Sequence, residues 1–383
     1  MTAKVSLLPT KSYDWPLVRD AVAEHFSLLE VSIAPDRPVV LKPNLILRCG
    51  PERAATFHPM VLEAVLAQLR DMGVKNIAVA ESPGGPFTPG LLKALFDKTG
   101  VAKAAAKYHV PCITETQGIQ RHRTENLLCR TFDIIAPVTE DVFLIDLCKV
   151  KTHCMMTFSG GVKNLFGCVP GLLKPQLHYR WPQLSDFSRM LLELAQTVAP
   201  QLTVIDAIDA MEGNGPTGGT SHPLHLLLAA RDLYTQDYFA AGLMKLDPMK
   251  IEMIRQAAEL GLARPDEIEL TGDPVPAGLT PFKLPDTKGL DFSGNVPAFL
   301  KKPFLFFAGR LLKSYPQVDR EKCVGCGKCA ESCPAHVIRI APGRHPGTSG
   351  AGKKAVFHKK GCISCFCCQE MCPVKAISVK KAL

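Results

Sequence analysis

Cys323, Cys326, Cys329 and Cys333, followed by Pro334, spell C-x2-C-x2-C-x3-C-P, and Cys362, Cys365, Cys368 and Cys372, followed by Pro373, spell it again. Two-residue spacers let a tightly wound chain present three thiolates to three corners of one cuboidal iron–sulfur cluster. The fourth cysteine is carried away from them and, where the run occurs twice, ligates the other cluster. By that rule one 4Fe-4S cluster takes Cys323, Cys326, Cys329 and Cys372, and a second takes Cys362, Cys365, Cys368 and Cys333. Pairs of the C-x2-C type also make zinc sites, but eight cysteines in a duplicated order are far more specific than one pair. Cys367 fits neither run and reads as a spare thiol. The chemistry expected is single-electron transfer.

The chain holds 15 cysteines in 383 residues, and those outside this region (Cys49, Cys112, Cys129, Cys148, Cys154, Cys168) show no close metal-ligand spacing. Met1 to Pro16 has no apolar core or small-residue cleavage site, which argues against a secretory leader, and no apolar stretch approaches the roughly 20 residues of a spanning helix. A cytoplasmic protein without a transmembrane segment is expected, so its cysteines point to metal or redox chemistry rather than disulfides. Residues 319 to 383 hold twelve Lys or Arg against four Asp or Glu, so 12 − 4 gives +8 of the total +9. Part of that charge offsets anionic clusters and the rest suits an acidic redox partner protein. Nucleic acid is disfavoured, because the basic residues are not interleaved with stacking aromatics. Over residues 319 to 381 the chain resembles two-cluster bacterial ferredoxins.

The elements that must position a substrate lie upstream. Val39 to Leu41, Asn76 to Ala80, Val142 to Leu147, Leu202 to Asp206 and Leu224 to Ala229 are short apolar runs without period-two alternation, as expected of strands buried on both faces. Helical patterns span Pro59 to Met72, Leu91 to Lys98, Leu184 to Val198 and Gln236 to Leu246. This alternation predicts an α/β fold with a mostly parallel sheet and flanking helices, followed by a small C-terminal α+β ferredoxin-like domain. The expected division is residues 1–275 for the α/β domain, 276–318 for a connector rich in Pro, Gly and Phe, and 319–383 for the cluster domain. The aromatic, Lys-flanked stretch Phe299 to Lys313 reads as packed between domains rather than as a membrane contact, and Pro342 to Lys354 as a mobile loop.

In parallel sheets functional groups gather beyond the carboxyl ends of the strands. The predicted strand ends are followed by Lys42-Pro43-Asn44, by Glu81-Ser82-Pro83-Gly84-Gly85, by Lys149, Lys151, Thr152 and His153 with Gly160-Gly161-Val162-Lys163-Asn164, and by Asp206, Asp209, Glu212 and Asn214. Cations and amides so placed suit an anionic small-molecule substrate, with the glycine pairs letting backbone N–H groups approach it. Lys42, Lys151 and Lys163 are expected to hold the anion, Asn44, Asn164, Asp206 and Asn214 to bind and orient the substrate, and His153 to supply a proton.

On Lys42-Pro43-Asn44-Leu45, Thr56 with His58-Pro59, Lys149-Val150-Lys151-Thr152-His153, Gly161 to Gly167, and Asp206 through Glu212-Gly213-Asn214-Gly215-Pro216, residues 3 to 290 resemble the family called domain of unknown function 362. The resemblance implies a fold and a redox association, not a reaction. Gly213-x-Gly215-x-x-Gly218 fits a dinucleotide pattern, but Pro216 interrupts it and a strand rather than a helix is expected to follow. Gly347-x4-Gly352-Lys353 lacks the Ser or Thr of a phosphate-binding loop, and Pro223 disfavours a helical His222/His225 metal pair. Two functions fit the sequence: a reductase passing electrons through two 4Fe-4S clusters to a substrate in the α/β domain, or a ferredoxin-type carrier whose α/β domain docks a partner oxidoreductase. A scaffold that hands clusters to other proteins is disfavoured by full cysteine ligation.

Overall fold

Strands that are apolar along their whole length must be covered on both sides. The computed structural model describes residues 2–287, 315–342 and 352–380 and arranges them in that way. In chain order the first domain comprises β1 (Ala3–Pro9), α1 (Trp15–Leu28), β2 (Val39–Pro43), α2 (Pro59–Asp71), β3 (Ile77–Val79), α3 (Pro89–Thr99) and α4 (Val101–Ala106). A hairpin of β4 (Gly118–His122) and β5 (Thr131–Ile135) leads to β6 (Phe143–His153), β7 (Thr157–Ser159), α5 (Gly161–Asn164), α6 (Leu173–Arg180) and α7 (Leu184–Val198). Then come β8 (Leu202–Glu212), β9 (Thr220–Ala230), α8 (Leu233–Leu243), α9 (Glu252–Glu259) and β10 (Ile268–Gly272).

The main sheet has the order β10-β1-β9-β8-β6-β2-β3, with β7 added to the end of β6. Pairing is parallel from β3 through β8 and between β1 and β10, while β9 runs against both its neighbours. Alternate residues of one strand enter different cores: Leu41, Ile145 and Leu147 pack with Val61, Leu62 and Leu66 of α2, whereas Val40, Leu144 and Cys148 pack on the other face with Phe187 and Leu191 of α7. The chain leaves β2 toward one face and β6 toward the opposite one. Adjacent strands whose connections diverge in this way leave a crevice at their carboxyl ends.

Two strands run further than expected. β6 continues past Leu147 to His153, and β8 past Asp206 to Glu212. Their polar ends remain in the sheet because β7 pairs Lys151 to Ser159 and β9 follows β8 to the pair Glu212–Thr220, so the backbone stays hydrogen-bonded throughout. Lys149, Lys151, His153 and Asp206 are therefore strand residues buried within the sheet layers, not loop residues beyond it.

The C-terminal domain is built from β11 (Tyr315–Val318), α10 (Lys328–Glu331), β12 (Ile338–Pro342), β13 (Lys353–Phe357), α11 (Cys367–Glu370) and β14 (Ile377–Lys380), with β11 paired to β14 and β12 to β13. Its two halves repeat in backbone as well as in sequence. Gly325 and Gly327 take left-handed φ values of 67° and 83°, and Ser364 and Phe366, at matching positions of the second run, take 58° and 59°. The spacers between the cysteines thus turn in the same way twice, glycine meeting the requirement without strain in the first half. β11 falls within the segment expected as connector. Residues 288–314, which include Phe299 to Lys313, and 343–351, most of the expected mobile loop, lie outside the described residues.

Candidate functional site

The lysines of the crevice are buried, so each must be satisfied locally. Lys42 Nζ on β2 donates to Glu81 Oε2 at 2.6 Å and to Asn164 Oδ1 at 3.0 Å. Burial, the largest single influence, pulls its ammonium down, but Glu81, Cys168 and Asp146 together outweigh it and hold Lys42 above its ordinary value. Lys149 Nζ donates to Asp206 Oδ2 at 2.9 Å and to Tyr13 Oη at 2.6 Å, while Tyr13 stacks on His58. Lys151 Nζ has Asn44 Oδ1 at 2.6 Å and the Ala55 carbonyl at 2.7 Å, with no carboxylate ion pair among the described residues. Burial, then Lys149, bring its pKa down to about 7. Lys174 is held by the Ser82, Pro83 and Val169 carbonyls, and burial brings it to about 7 as well.

Two amides join these groups into one network. Asn44 Nδ2 donates to Asn164 Oδ1 at 3.0 Å, and Asn164 Nδ2 donates to Asp146 Oδ1 at 2.8 Å. Burial raises the Asp146 carboxyl well above its usual range. Gly167 lies so close that a Cβ there would fall 2.4 Å from both Lys42 Nζ and Glu81 Oε1. The backbone N–H groups of Gly161 and Val162, expected to face an exogenous anion, instead donate to Asp237 at 2.7 and 3.0 Å. The short α5 turn has its own internal carboxylate, which burial raises to about 7.

Above this floor lies a cavity of about 80 Å³ whose lining includes Asn44, Glu81, Lys163, Asn164, Lys174 and His178, and whose opposite wall is Cys367, Glu370 and Met371 of the C-terminal domain. Lys163 Nζ stands 4.7 Å over the Phe166 ring, and burial lowers its pKa despite Glu370. His178 stacks on Phe187 and is lowered to about 3 by burial and then by Lys163. His153 Nδ1 accepts from the Met155 and Met156 N–H groups, which leaves its hydrogen on Nε2, 3.4 Å from Glu370 Oε1. Burial, followed by the nearby Lys163, holds His153 well below its usual value, and burial raises Glu370.

The structure thus brings Lys163, Asn44 and Asn164 to the cavity and places Lys42 and Lys151 beneath it. Of the expected residues, Lys42, Lys151, His153, Asp206 and Asn214 do not line it. His153 sits behind Glu370 rather than on the wall. Asp206 is held between Lys149 and Tyr13. Asn214 Nδ2 bonds Asp286 Oδ2 at 2.7 Å on the flank of the module. Glu370 and Cys367 were hidden from sequence reasoning because they belong to the other domain. Lys174 gave no signal, lying in a helix after no predicted strand.

Two small hollows lie within the C-terminal domain. Cys323, Cys326, Cys329 and Cys372 line one, with Ile340, Ala355 and Ile377. Cys333, Cys362, Cys365 and Cys368 line the other, with Ile338, Phe357 and Phe366. Four thiols around an apolar void fit a thiolate-ligated cluster. Backbone N–H donors reach them from Ser364 to Cys362 Sγ at 3.5 Å and from Ala376 to Cys372 Sγ at 3.2 Å, contacts that tune a cluster's potential.

Comparison with known proteins matches residues 39–242 to a domain of unknown function, DUF362, and residues 322–376 to a 4Fe-4S dicluster domain. The chain is 30% identical over 324 residues to the thylakoid-associated protein sll1697 of Synechocystis, covering 82% of this chain and 97% of that protein. Among solved structures it matches the lactate racemase apoprotein from Thermoanaerobacterium thermosaccharolyticum with a TM-score of 0.34 and 14% identity, over 54% of this chain and 51% of that one.

Proposed function

The chain belongs to the domain of unknown function 362 family and carries a C-terminal 4Fe-4S ferredoxin-type domain, and on that premise we propose that it is a reductase delivering single electrons to an anionic small molecule held between its two domains. The observation that carries this reading is the shared cavity, with Lys163, Asn44 and Asn164 on one wall and the segment from Cys367 to Met371 on the other. A group reduced in the second cysteine cavity would lie next to any molecule bound there. Fusion of donor and acceptor in one chain removes the orientation cost of a separate encounter.

In this reading Cys323, Cys326, Cys329 and Cys372 hold one 4Fe-4S cluster, and Cys333, Cys362, Cys365 and Cys368 hold a second. Such clusters, when bound, supply electrons one at a time. Lys163 meets the anionic group, the second Nδ2 hydrogen of Asn44 orients it, and Asn164, whose own Nδ2 is spent on Asp146 and the Leu147 carbonyl, holds Asn44 in place. Lys42 and Lys151 are positioning residues that hold those amides from beneath. Asp206 and Asn214 position strand β8 and the module. His153 holds a proton on Nε2 at the rim, facing Glu370 Oε1.

Iron and sulfide analysis of anaerobically prepared protein tests the premise: about eight of each per chain is expected, and about four iron atoms, or zinc, would sink the pair of clusters. For the reaction, the protein is reduced by a viologen and mixed with a panel of 2-oxo and α,β-unsaturated carboxylates. Reoxidation of the clusters by one of them is expected, and Lys163→Gln is expected to slow it on the order of a hundredfold with the reduced-cluster spectrum unchanged, a loss of about 2.7 kcal/mol.

One observation favours a second reading, that of an electron carrier. Cys326 is exposed, and Arg320, Lys322, Lys353, Lys359 and Lys360 are exposed on the same domain, a face suited to an acidic redox protein. If Lys163→Gln weakens only the binding of a protein partner and no small carboxylate reoxidises the clusters, the carrier reading replaces the reductase.

A further inference from the structure

The crevice has a second chamber. A cavity of about 190 Å³ is lined by Ile46, Leu47, Leu91 and Leu95 of the α/β domain and by Met371 and Pro373 of the C-terminal domain. It shares Ile46, the segment Pro83 to Gly85, Ser332, Glu370 and Met371 with the cavity that contains Lys163, so the two adjoin. Met371 forms the partition. A Cβ on Gly84 would lie 2.9 Å from its Sδ, and one on Gly85 2.9 Å from its Cε. The thioether therefore reaches over backbone that carries no side chain, and an unbranched methionine is a partition that repacks at low cost.

The two chambers differ in chemistry. The first has a cationic and amide wall around Lys163. The second has an aliphatic wall, with charge from Arg48, Arg53, Lys328 and Glu331 joining it. Cys372 lines the second chamber as Cys367 lines the first, so an occupant of both runs along both halves of the cysteine-bearing domain. We infer that the two chambers form one bipartite site and that its substrate is an amphipathic carboxylate, with the carboxylate at Lys163 and an alkyl or aryl body against Leu47, Leu91, Leu95 and Met371. The inference rests on the anionic-substrate reading above and adds the shape and apolarity of the molecule.

The test is calorimetric titration of the full, cluster-loaded chain with acetate, butanoate, hexanoate and octanoate, and with octanol. Affinity is expected to rise roughly fourfold per methylene, and octanoate to bind on the order of tenfold more tightly than octanol. Leu91→Gln, and separately Leu91→Trp, which fills the chamber, should flatten the series while leaving acetate within about twofold. Lys163→Gln should weaken every carboxylate alike and leave octanol unmoved. A wild-type series with no dependence on length overturns the apolar chamber and spares the anion reading. Octanol binding as tightly as octanoate, with Lys163→Gln without effect, overturns the anion reading itself. Absence of binding by every compound overturns both.

Discussion

At the residue scale the site is a problem of burying lysines, and the chain uses three solutions. Lys42 and Lys149 face carboxylates, Lys151 and Lys174 are enclosed by carbonyl and amide oxygens, and Lys163 lies against the Phe166 ring and borders the cavity. Removing one member of a buried ion pair strands the other, which costs about 3–5 kcal/mol, whereas replacing both by apolar groups is close to neutral. Lys42→Met is therefore expected to destabilise the α/β domain by about that amount, and Lys42→Met with Glu81→Met to recover most of it, read as the denaturant midpoint of the α/β domain. A double variant no more stable than the single would mean that the Asn164 network, not the pair, carries the cost. Lys151 gives a pH prediction. Its pKa is lowered to about 7 by burial and by Lys149, below that of an unfolded lysine at roughly 10.4. Between those values the unfolded chain binds the proton and the folded chain does not, so stability rises with pH across the window and is flat below it. Lys174 shares the window. Lys151→Met should remove a distinct part of the rise in Tm from pH 7 to 10, and an unchanged slope would show that its ammonium is not desolvated.

At the scale of elements, the short turn α5 carries both Lys163 and Asn164, and it starts on Asp237, an acceptor from a distant helix. Asp237→Ala leaves two buried N–H groups without a partner, a cost of about 2 kcal/mol. It is expected to lower turnover together with stability although Asp237 does not line the cavity, and hydrogen exchange at residues 161–165 should speed up. Unchanged exchange there would place the anchor of the turn elsewhere. The same element shows how far the sequence was legible. Uninterrupted apolar runs found β2, β3, β6, β8 and β9, and 3.6-residue periodicity found α2, α3, α7 and α8, because those signals depend only on which faces are buried. The ends of β6 and β8 were missed because Lys149, Lys151 and Asp209 read as polar loop, and strand pairing with the hydrogen-bond partners of the two lysines holds them in the sheet. β1, which pairs with β9, was missed because Ala3–Pro9 carries Lys4 and Ser6 at alternate positions, and Ser6 is buried with its hydroxyl bonded to His25. Spacing alone named the cysteines, since a turn that repeats every thirty-nine residues is local; Glu370 and Cys367, which face the crevice from the second domain, depend on docking that no local pattern encodes.

For the whole molecule, the second cysteine run hydrogen-bonds the α/β domain, while Lys328, Glu331 and Ser332 of the first run border the second chamber. Gln369 Nε2 reaches the Asn214 carbonyl at 3.5 Å, Thr217 Oγ1 donates to the Glu370 carbonyl at 3.5 Å, and Phe366 packs with Cys154 and Val379. The first run is turned outward, with Cys326 exposed. This polarity gives electrons a direction if both cavities hold clusters: entry at the exposed run, exit at the run that walls the crevice. The surface charge agrees, because the +8 of residues 319–383 is carried by the domain that would receive the donor. Steering between a basic face and an acidic protein raises association rates by ten- to a thousandfold and weakens as salt shortens the screening length to about 8 Å at physiological ionic strength. Reduction of the holoprotein by an acidic one-electron carrier is therefore expected to slow on the order of tenfold between low and moderate salt. Lys359→Glu with Lys360→Glu should slow it by a similar factor at low salt, while reduction by a zwitterionic viologen should respond to neither change. Stopped-flow bleaching of the clusters measures both. Equal salt dependence for the two donors would separate the basic face from electron entry, and its charge would then serve only to offset the clusters that the domain encloses.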